Sequence, residues 1–195
     1  MRVIAGKVGG RKLQAPKGMD TRPTPDRVRE ALFSMLLPHV PGARVLDLYA
    51  GSGALGIEAL SRGAAHVTFV EQAKGALAAL QANLSALGLA DVSSVVPAPV
   101  ARALGRLGGA QQQFDIILMD PPYAQNLVPQ TLQGVVEGAL LAAGGILVAE
   151  HAGKSPSPAA PPPLQCMDLR RYGDVAVSVY SGAHVVLSPQ GEAAL

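Results

Sequence analysis

Residues 44–63 read Arg44-Val45-Leu46-Asp47-Leu48-Tyr49-Ala50-Gly51-Ser52-Gly53-Ala54-Leu55-Gly56-Ile57-Glu58-Ala59-Leu60-Ser61-Arg62-Gly63. The apolar run 44–49 predicts a buried strand, the Gly51-Ser52-Gly53 stretch a tight turn, and 53–62 a helix that Gly63 ends as a cap. A strand that turns through glycines into a helix is the opening unit of a parallel α/β sheet.

The same alternation continues on the C-terminal side. Strands are predicted at 66–71, 92–96, 114–119 and 145–150, and helices at 73–87, 99–107 and 129–142, with Gly88 a second cap. Regular alternation implies a parallel sheet with helices on both faces, and the right-handed crossover rule leaves a doubly wound order as the simplest topology. The pattern breaks at 153–163, a Gly/Ser/Pro-rich loop containing Pro161-Pro162-Pro163. Two further strands, 164–172 and 175–181, flank Gly173-Asp174 as a hairpin. The predicted fold class is therefore an α/β, doubly wound, mostly parallel seven-stranded sheet.

On the N-terminal side, 2–5 and 11–15 are short strand candidates joined through Gly9-Gly10. Thr24 is a predicted N-cap with Pro25 at the first helical position, and Val28, Leu32, Met35 and Leu36 recur at helical spacing until Pro38 stops the run. The expected organisation is a basic hairpin and helix over 1–40, the α/β domain over 41–182, and a tail over 183–195.

Composition narrows the class. A chain of 195 residues with 49% hydrophobic content suits one domain with a sizeable core, and it has no apolar run long enough for a membrane span. A single cysteine, Cys166, allows no internal disulfide and fits a reducing, cytoplasmic setting; the four histidines have no metal-ligand spacing. Net charge is only +2, yet eight of the 16 Lys+Arg are Arg2, Lys7, Arg11, Lys12, Lys17, Arg22, Arg27 and Arg29. Against Asp20 and Asp26 alone, that concentration reads as a surface for nucleic acid rather than a solubilising face.

In an open parallel sheet, ligands bind beyond the carboxyl ends of the strands. Gly51 and Gly53 would let a ligand approach the backbone, beside the free N–H groups of a helix N-terminus. Residues 51–56 alone also match a dinucleotide fingerprint. Glu71, ending the next strand, would serve a ribose in either case. Asp47 favours S-adenosylmethionine, because a carboxylate there suits the ammonium of its methionine part and would repel a pyrophosphate.

The second motif, Asp120-Pro121-Pro122-Tyr123, follows the buried strand Phe114–Met119 at the same sheet edge. An exocyclic amine of a base is a weak nucleophile, since its lone pair is delocalised into the ring. The Asp120 carboxylate and the Pro121 carbonyl can accept its two hydrogens, Pro121 and Pro122 hold the backbone stiff, and Tyr123 offers a stacking face worth about 1–3 kcal/mol. In combination the motifs point to methylation of an amine.

These stretches resemble the RsmD family of bacterial 16S rRNA guanine-N2 methyltransferases. The resemblance rests on Arg2-Val3-Ile4-Ala5-Gly6 with Gly10-Arg11-Lys12-Leu13, on Arg22-Pro23-Thr24-Pro25-Asp26-Arg27-Val28-Arg29-Glu30-Ala31-Leu32-Phe33, on Leu46–Gly63 and on Asp120–Tyr123. It covers about residues 1–182 and implies a class I, Rossmann-like fold closed by a terminal hairpin. By resemblance, Asp47, Gly51, Ser52, Gly53 and Glu71 line S-adenosylmethionine, and Asp120, Pro121, Pro122 and Tyr123 hold the guanine amine. Arg2, Arg11, Lys12, Arg22 and Arg27 face RNA phosphate. Relatives often carry Asp or Asn after the third strand; here Val95-Val96-Pro97-Ala98-Pro99-Val100 has neither, so the adenine would meet backbone and apolar groups such as Val100. The expected partner is 16S rRNA within the small ribosomal subunit or an assembly intermediate, with the protein a monomer, no metal and no membrane. Adenine-N6 DNA methylation, protein glutamine methylation and a non-catalytic RNA-binding module stay open as alternatives.

Overall fold

The computed structural model describes residues 1–16, 25–122 and 127–182. Five helices and seven strands follow in the order α1 (Asp26–Leu36), β1 (Arg44–Leu48), α2 (Ala54–Ser61), β2 (His66–Glu71), α3 (Lys74–Leu87), β3 (Ser93–Pro97), α4 (Val100–Gly109), β4 (Phe114–Met119), α5 (Val128–Glu137), β5 (Leu141–Ala152), β6 (Gln165–Tyr172) and β7 (Val175–Ser181). One seven-stranded sheet has the order β3-β2-β1-β4-β5-β7-β6. The first five of these are mutually parallel, and β7 runs antiparallel to both β5 and β6. The predicted doubly wound sheet closed by a hairpin is the observed one.

Strand alternation divides the core in two. Val45, Ile116, Leu118, Ile146 and Val148 face α1, α2 and α3, while Leu46, Leu48, Ile117, Met119 and Leu147 face α4 and α5. Both faces being covered explains why these strands read as continuous apolar runs. The chain order reverses between β1 and β4, neighbours in the sheet. The crevice for ligands in such sheets opens at that reversal, and both sequence motifs follow directly from these two strands.

Three expectations need correction. The helix predicted over 129–142 ends at Glu137: Ala139 takes φ 48°, and the apolar residues from Leu141 onward belong to β5. The run Ala139-Leu140-Leu141-Ala142 hid this boundary. The N-terminal strands are reduced to one bridge, Arg2 with Lys12, supported by Val3 N–H to Arg11 C=O and Gly10 N–H to Val3 C=O. Side chains of α2 replace the missing ladder: the Glu58 carboxylate accepts Ile4 N–H at 2.7 Å and Ala5 N–H at 3.1 Å, and Ser61 Oγ accepts Val8 N–H at 3.1 Å. Pro25 is the N-cap of α1 rather than its first helical residue. Thr24, Lys17, Arg22, Tyr123 and the 183–195 tail lie outside the described residues.

Val3, Leu13, Val28, Leu32, Phe33 and Leu36 are buried in the same core as the sheet residues under α2. Arg29 is fully buried too, donating to Arg2 C=O at 2.6 Å and to Asp26 at 3.0 Å. Burial lowers its pKa against the raising influence of Asp26 and Glu58. It therefore leaves the set of basic residues that can meet a partner.

Candidate active site

Gly51 and Gly53 both have positive φ, 57° and 86°, but they need it for different reasons. A Cβ at Gly51 would meet nothing closer than the Tyr49 carbonyl oxygen at 4.0 Å, so its face is open to the crevice. A Cβ at Gly53 would lie 2.4 Å from Leu80 Cδ1, and one at Gly56 2.3 Å from Phe69 Cε1. Gly53 and Gly56 thus let α2 close onto α3 and the sheet, a packing role beyond the expected one for Gly53, and of the two turn glycines Gly51 is the one that faces open space.

Asp47 lies beneath the turn, 1% exposed, and its Oδ2 accepts Gly56 N–H at 2.9 Å. It thereby satisfies one of the free N–H groups in the first turn of α2, which has no side-chain N-cap of its own. Burial pushes its pKa up to about 7, the Gly56 hydrogen bond opposes this, and the nearby Glu71 charge adds to it. The negative form is therefore costly in this buried setting.

Glu71 joins two loops. Its Oε2 accepts Gly51 N–H at 2.8 Å, and its Oε1 accepts Gln72 N–H at 2.7 Å and Ala73 N–H at 2.8 Å. An ionised carboxylate offers about four lone-pair positions, so capacity remains for a further donor. Ser52 is buried, and its carbonyl accepts from Asn83 Nδ2 at 2.9 Å. Asn83 also receives Gln14 N–H at 2.8 Å and donates to Gln14 C=O at 3.1 Å, so this one amide ties the glycine turn to the N-terminal ribbon. Nothing in the sequence pattern singled out Asn83.

Val100, first residue of α4, lies at one end of a groove of about 1000 Å³ that runs between α4 and α5, from Tyr49, Gln72 and Pro99 to Gly108 and Gly138; Gly51 and Glu71 do not line it. Tyr49 has φ 62°, and its hydroxyl lies 2.7 Å from Thr131 Oγ1. Burial raises the Tyr49 pKa against the lowering effect of that bond. Tyr49 and Thr131 are further wall residues that spacing did not reveal.

Asp120 and Pro121 follow β4, with Pro121 buried and Pro122 exposed. Both prolines line a second cavity of about 440 Å³ with Val128, Pro129, Glu150, His151 and the 155–159 stretch. The predicted cationic residues scatter more widely. Arg2, Arg11, Lys12 and Arg27 are exposed. Arg2 pairs with Asp26 at 3.6 Å, and Arg11 donates to Ala86 C=O at 3.2 Å, in the last turn of α3, the helix end remote from Glu71. No group of three or more metal-binding side chains occurs among the described residues, and none of their helices is long and apolar enough to cross a membrane.

The family model described as "Conserved hypothetical protein 95" matches residues 1–181. Ribosomal RNA small subunit methyltransferase D of Escherichia coli is 34% identical over 180 residues, 92% of this chain and 89% of that protein. The chain belongs to the RsmD family. The YlbH protein of Bacillus subtilis, 39% identical over 180 residues, aligns with 92% of this RsmD-family chain and 98% of its own length. The solved structure of the Escherichia coli yhhF protein superposes with a TM-score of 0.84 at 34% identity, covering 93% of this chain and 97% of that one. The RsmD-family chain thus has the class I methyltransferase fold.

Proposed function

We propose that this protein transfers a methyl group from S-adenosylmethionine to the exocyclic N2 amine of a guanine in 16S rRNA of the small ribosomal subunit. The observation that carries the reading is the adjacency of the two motifs: the Gly51 turn ends β1, Asp120 ends β4, and the two strands are paired from Val45–Ile116 to Leu48–Met119. Family membership supports rRNA as the substrate, since the Escherichia coli relative is named for that activity.

The residues present fit the cofactor. Gly51 leaves open space, Glu71 keeps acceptor capacity for one ribose hydroxyl, and Tyr49, Gln72, Pro99 and Val100 form the end of the α4–α5 groove that lies at the carboxyl ends of the strands. Buried Asp47 suits the ammonium, and pairing with that cation would favour its ionised form. Val100 and Pro99 provide apolar packing for the adenine in place of an acid or amide. When bound, S-adenosylmethionine supplies a methyl group on a positively charged sulfur.

Asp120 and the Pro121 carbonyl accept the two amine hydrogens and aim the nitrogen lone pair. The Asp120 carboxylate also opposes the positive charge that grows on nitrogen, and most of the acceleration comes from such positioning. Tyr123 stacks on the base. Exposed Arg2, Arg11, Lys12 and Arg27, with Arg22, hold phosphates. The target guanine has to be unpaired or extruded to reach the pocket.

The test is transfer of labelled methyl to small ribosomal subunits from cells lacking this activity, with free rRNA and DNA alongside and the product nucleoside identified by mass spectrometry. N2-methylguanosine in the rRNA is expected. Label in DNA or protein instead overturns the substrate, and no label despite cofactor binding overturns catalysis.

A further inference from the structure

The cavity beside Pro121 and Pro122 is bordered by one acid, Glu150, and Asp120 precedes its two prolines in the chain. Glu150 lies near the C-terminal end of β5, the strand beside β4, and is 6% exposed. Met119 pairs with Ala149, so Asp120 and Glu150 are the next residues along two neighbouring parallel strands, which lie about 4.8 Å apart. Glu150 pairs across to Val177, whose side chain belongs to the core on the α1–α3 face. Leu118, two residues before Asp120, belongs to that same core. By alternation, both acids sit on one face of the sheet edge.

The sheet order β1-β4-β5 makes this placement meaningful. The glycine turn is on one side of Asp120 and Glu150 on the other. A base whose amine is held at Asp120 has its methyl source toward β1, and the rest of its hydrogen-bonding edge extends toward β5. His151, Glu150's neighbour, is buried on the opposite sheet face, with Nε2 2.7 Å from Ser178 Oγ, which pins the end of β5 against β7.

The Watson–Crick edge of guanine presents donors at both N2 and N1. The equivalent edge of adenine places a bare ring-nitrogen lone pair beside its amine. An ionised carboxylate only accepts. It therefore welcomes guanine N1–H and is repelled by an adenine lone pair.

Resting on the functional reading above, we infer that Glu150 is the specificity-determining residue of the base pocket, accepting guanine N1–H while Asp120 holds the N2 amine. The acid is the element that excludes adenine, and it makes this pocket guanine-specific although Asp120 and the Pro121 carbonyl serve any exocyclic amine. A residue that rejects the wrong base by an unfavourable contact contributes as much to selectivity as one that attracts the right base.

The experiment uses the full chain and small subunits reconstituted with 16S rRNA in which the methylated guanine is replaced by 2-aminopurine. This analogue keeps the 2-amine but has a bare N1. Wild type should prefer guanine in kcat/KM by roughly 10- to 100-fold. Equal use of both bases overturns the inference with no variant needed. Glu150→Gln can turn its amide N–H toward the bare N1 as readily as its oxygen toward guanine N1–H, so the preference should shrink severalfold, by gain on 2-aminopurine as well as by loss on guanine. Absence of O6 in the analogue affects both proteins alike, so the change in ratio reports N1. If Glu150→Gln lowers both rates equally and keeps the wild-type ratio, Glu150 is structural and the inference fails. Melting and cofactor binding of the variant are measured in parallel; if Glu150→Gln misfolds, the same ratio is read on Glu150→Asp, whose shorter acceptor should cost guanine more than 2-aminopurine, and an unchanged ratio there overturns the inference. No transfer to guanine N2 by wild type overturns the functional reading, and this inference with it.

Discussion

Glu71 Oε2 and the Gly51 amide are joined by a 2.8 Å hydrogen bond across the ends of β2 and β1. The carboxylate that would bind ribose therefore also shapes the glycine turn. Glu71→Ala should lose both functions. Hydrogen bonds to a charged group are worth about 1.5–3 kcal/mol each, so cofactor affinity should fall by about 10- to 100-fold, with a lower melting temperature. Calorimetric titration of S-adenosylhomocysteine checks this, and unchanged affinity removes Glu71 from the ribose site.

Asp47 links pH to stability with a definite sign. Its folded pKa is raised from 3.8 to about 7, so the native state holds a proton that the unfolded chain releases. The corresponding stability is fully present below pH 3.8 and is lost as pH rises through about 7. Asp47→Asn keeps an oxygen for Gly56 N–H without the buried charge. It should be at least as stable as wild type at pH 8, while binding S-adenosylmethionine at least tenfold more weakly. A variant that is both less stable and normal in affinity would show that Asp47 acts only as the cap of α2.

Asp120→Ala should reduce transfer by about 100-fold or more, the scale of losing one positioned electrostatic contact to developing charge. Cofactor binding should change little, because Asp120 follows β4 and the glycine turn follows β1. A single-turnover assay beside equilibrium binding separates the two. Equal loss of both would move Asp120 into the cofactor site.

Two glycines should fail in different ways. Gly56→Ala drives a methyl to within 2.3 Å of the Phe69 ring, at a position with ordinary helical φ. It should cost about 1–3 kcal/mol of stability by overpacking. Gly51→Ala meets no atom nearer than 4.0 Å and carries only the cost of φ 57°, about 1–2 kcal/mol. Its larger defect should appear in cofactor affinity. Denaturant melts and binding isotherms on both variants distinguish these outcomes, and identical profiles would refute the division of roles.

Arg11 and Lys12 are exposed on the ribbon, far along α3 from Glu71. If they meet phosphate, replacing both with Ala should weaken RNA binding and reduce the slope of log affinity against log salt by about 1–2. An unchanged slope would leave Arg2, Arg22 and Arg27 as the phosphate-binding set.

Much of the candidate site's placement was legible because its residues adjoin turns whose backbone chemistry is local. Gly51 lies at a position that needs positive φ, and Asp120 follows directly on the apolar run Phe114–Met119. Gly88 caps α3 in the left-handed conformation, φ 66°, as its place after an amphipathic helix predicted. What spacing concealed was set across large sequence separations. Asn83 reaches Gln14 and Ser52, and Glu58 reaches Ile4 and Ala5. Each is a polar residue in a helix, with no local mark of its partner. Arg29 looked like part of a cationic surface, because a charge pattern along the chain carries no information about which face of α1 is covered.

By itself, the sequence determined the alternation of strands and helices, the family, and the two turns of the candidate site. These follow from short-range rules: apolar runs bury, glycine admits positive φ, and proline stiffens the backbone. Only the tertiary structure decided which glycine faces the crevice, that the Glu71 carboxylate holds the turn, and that Glu150 stands beside Asp120 on the edge of the sheet. The physical reason is that strand order and side-chain facing are fixed by packing both faces of the sheet at once. Residues thirty positions apart, such as Asp120 and Glu150, become neighbours only when β4 and β5 pair.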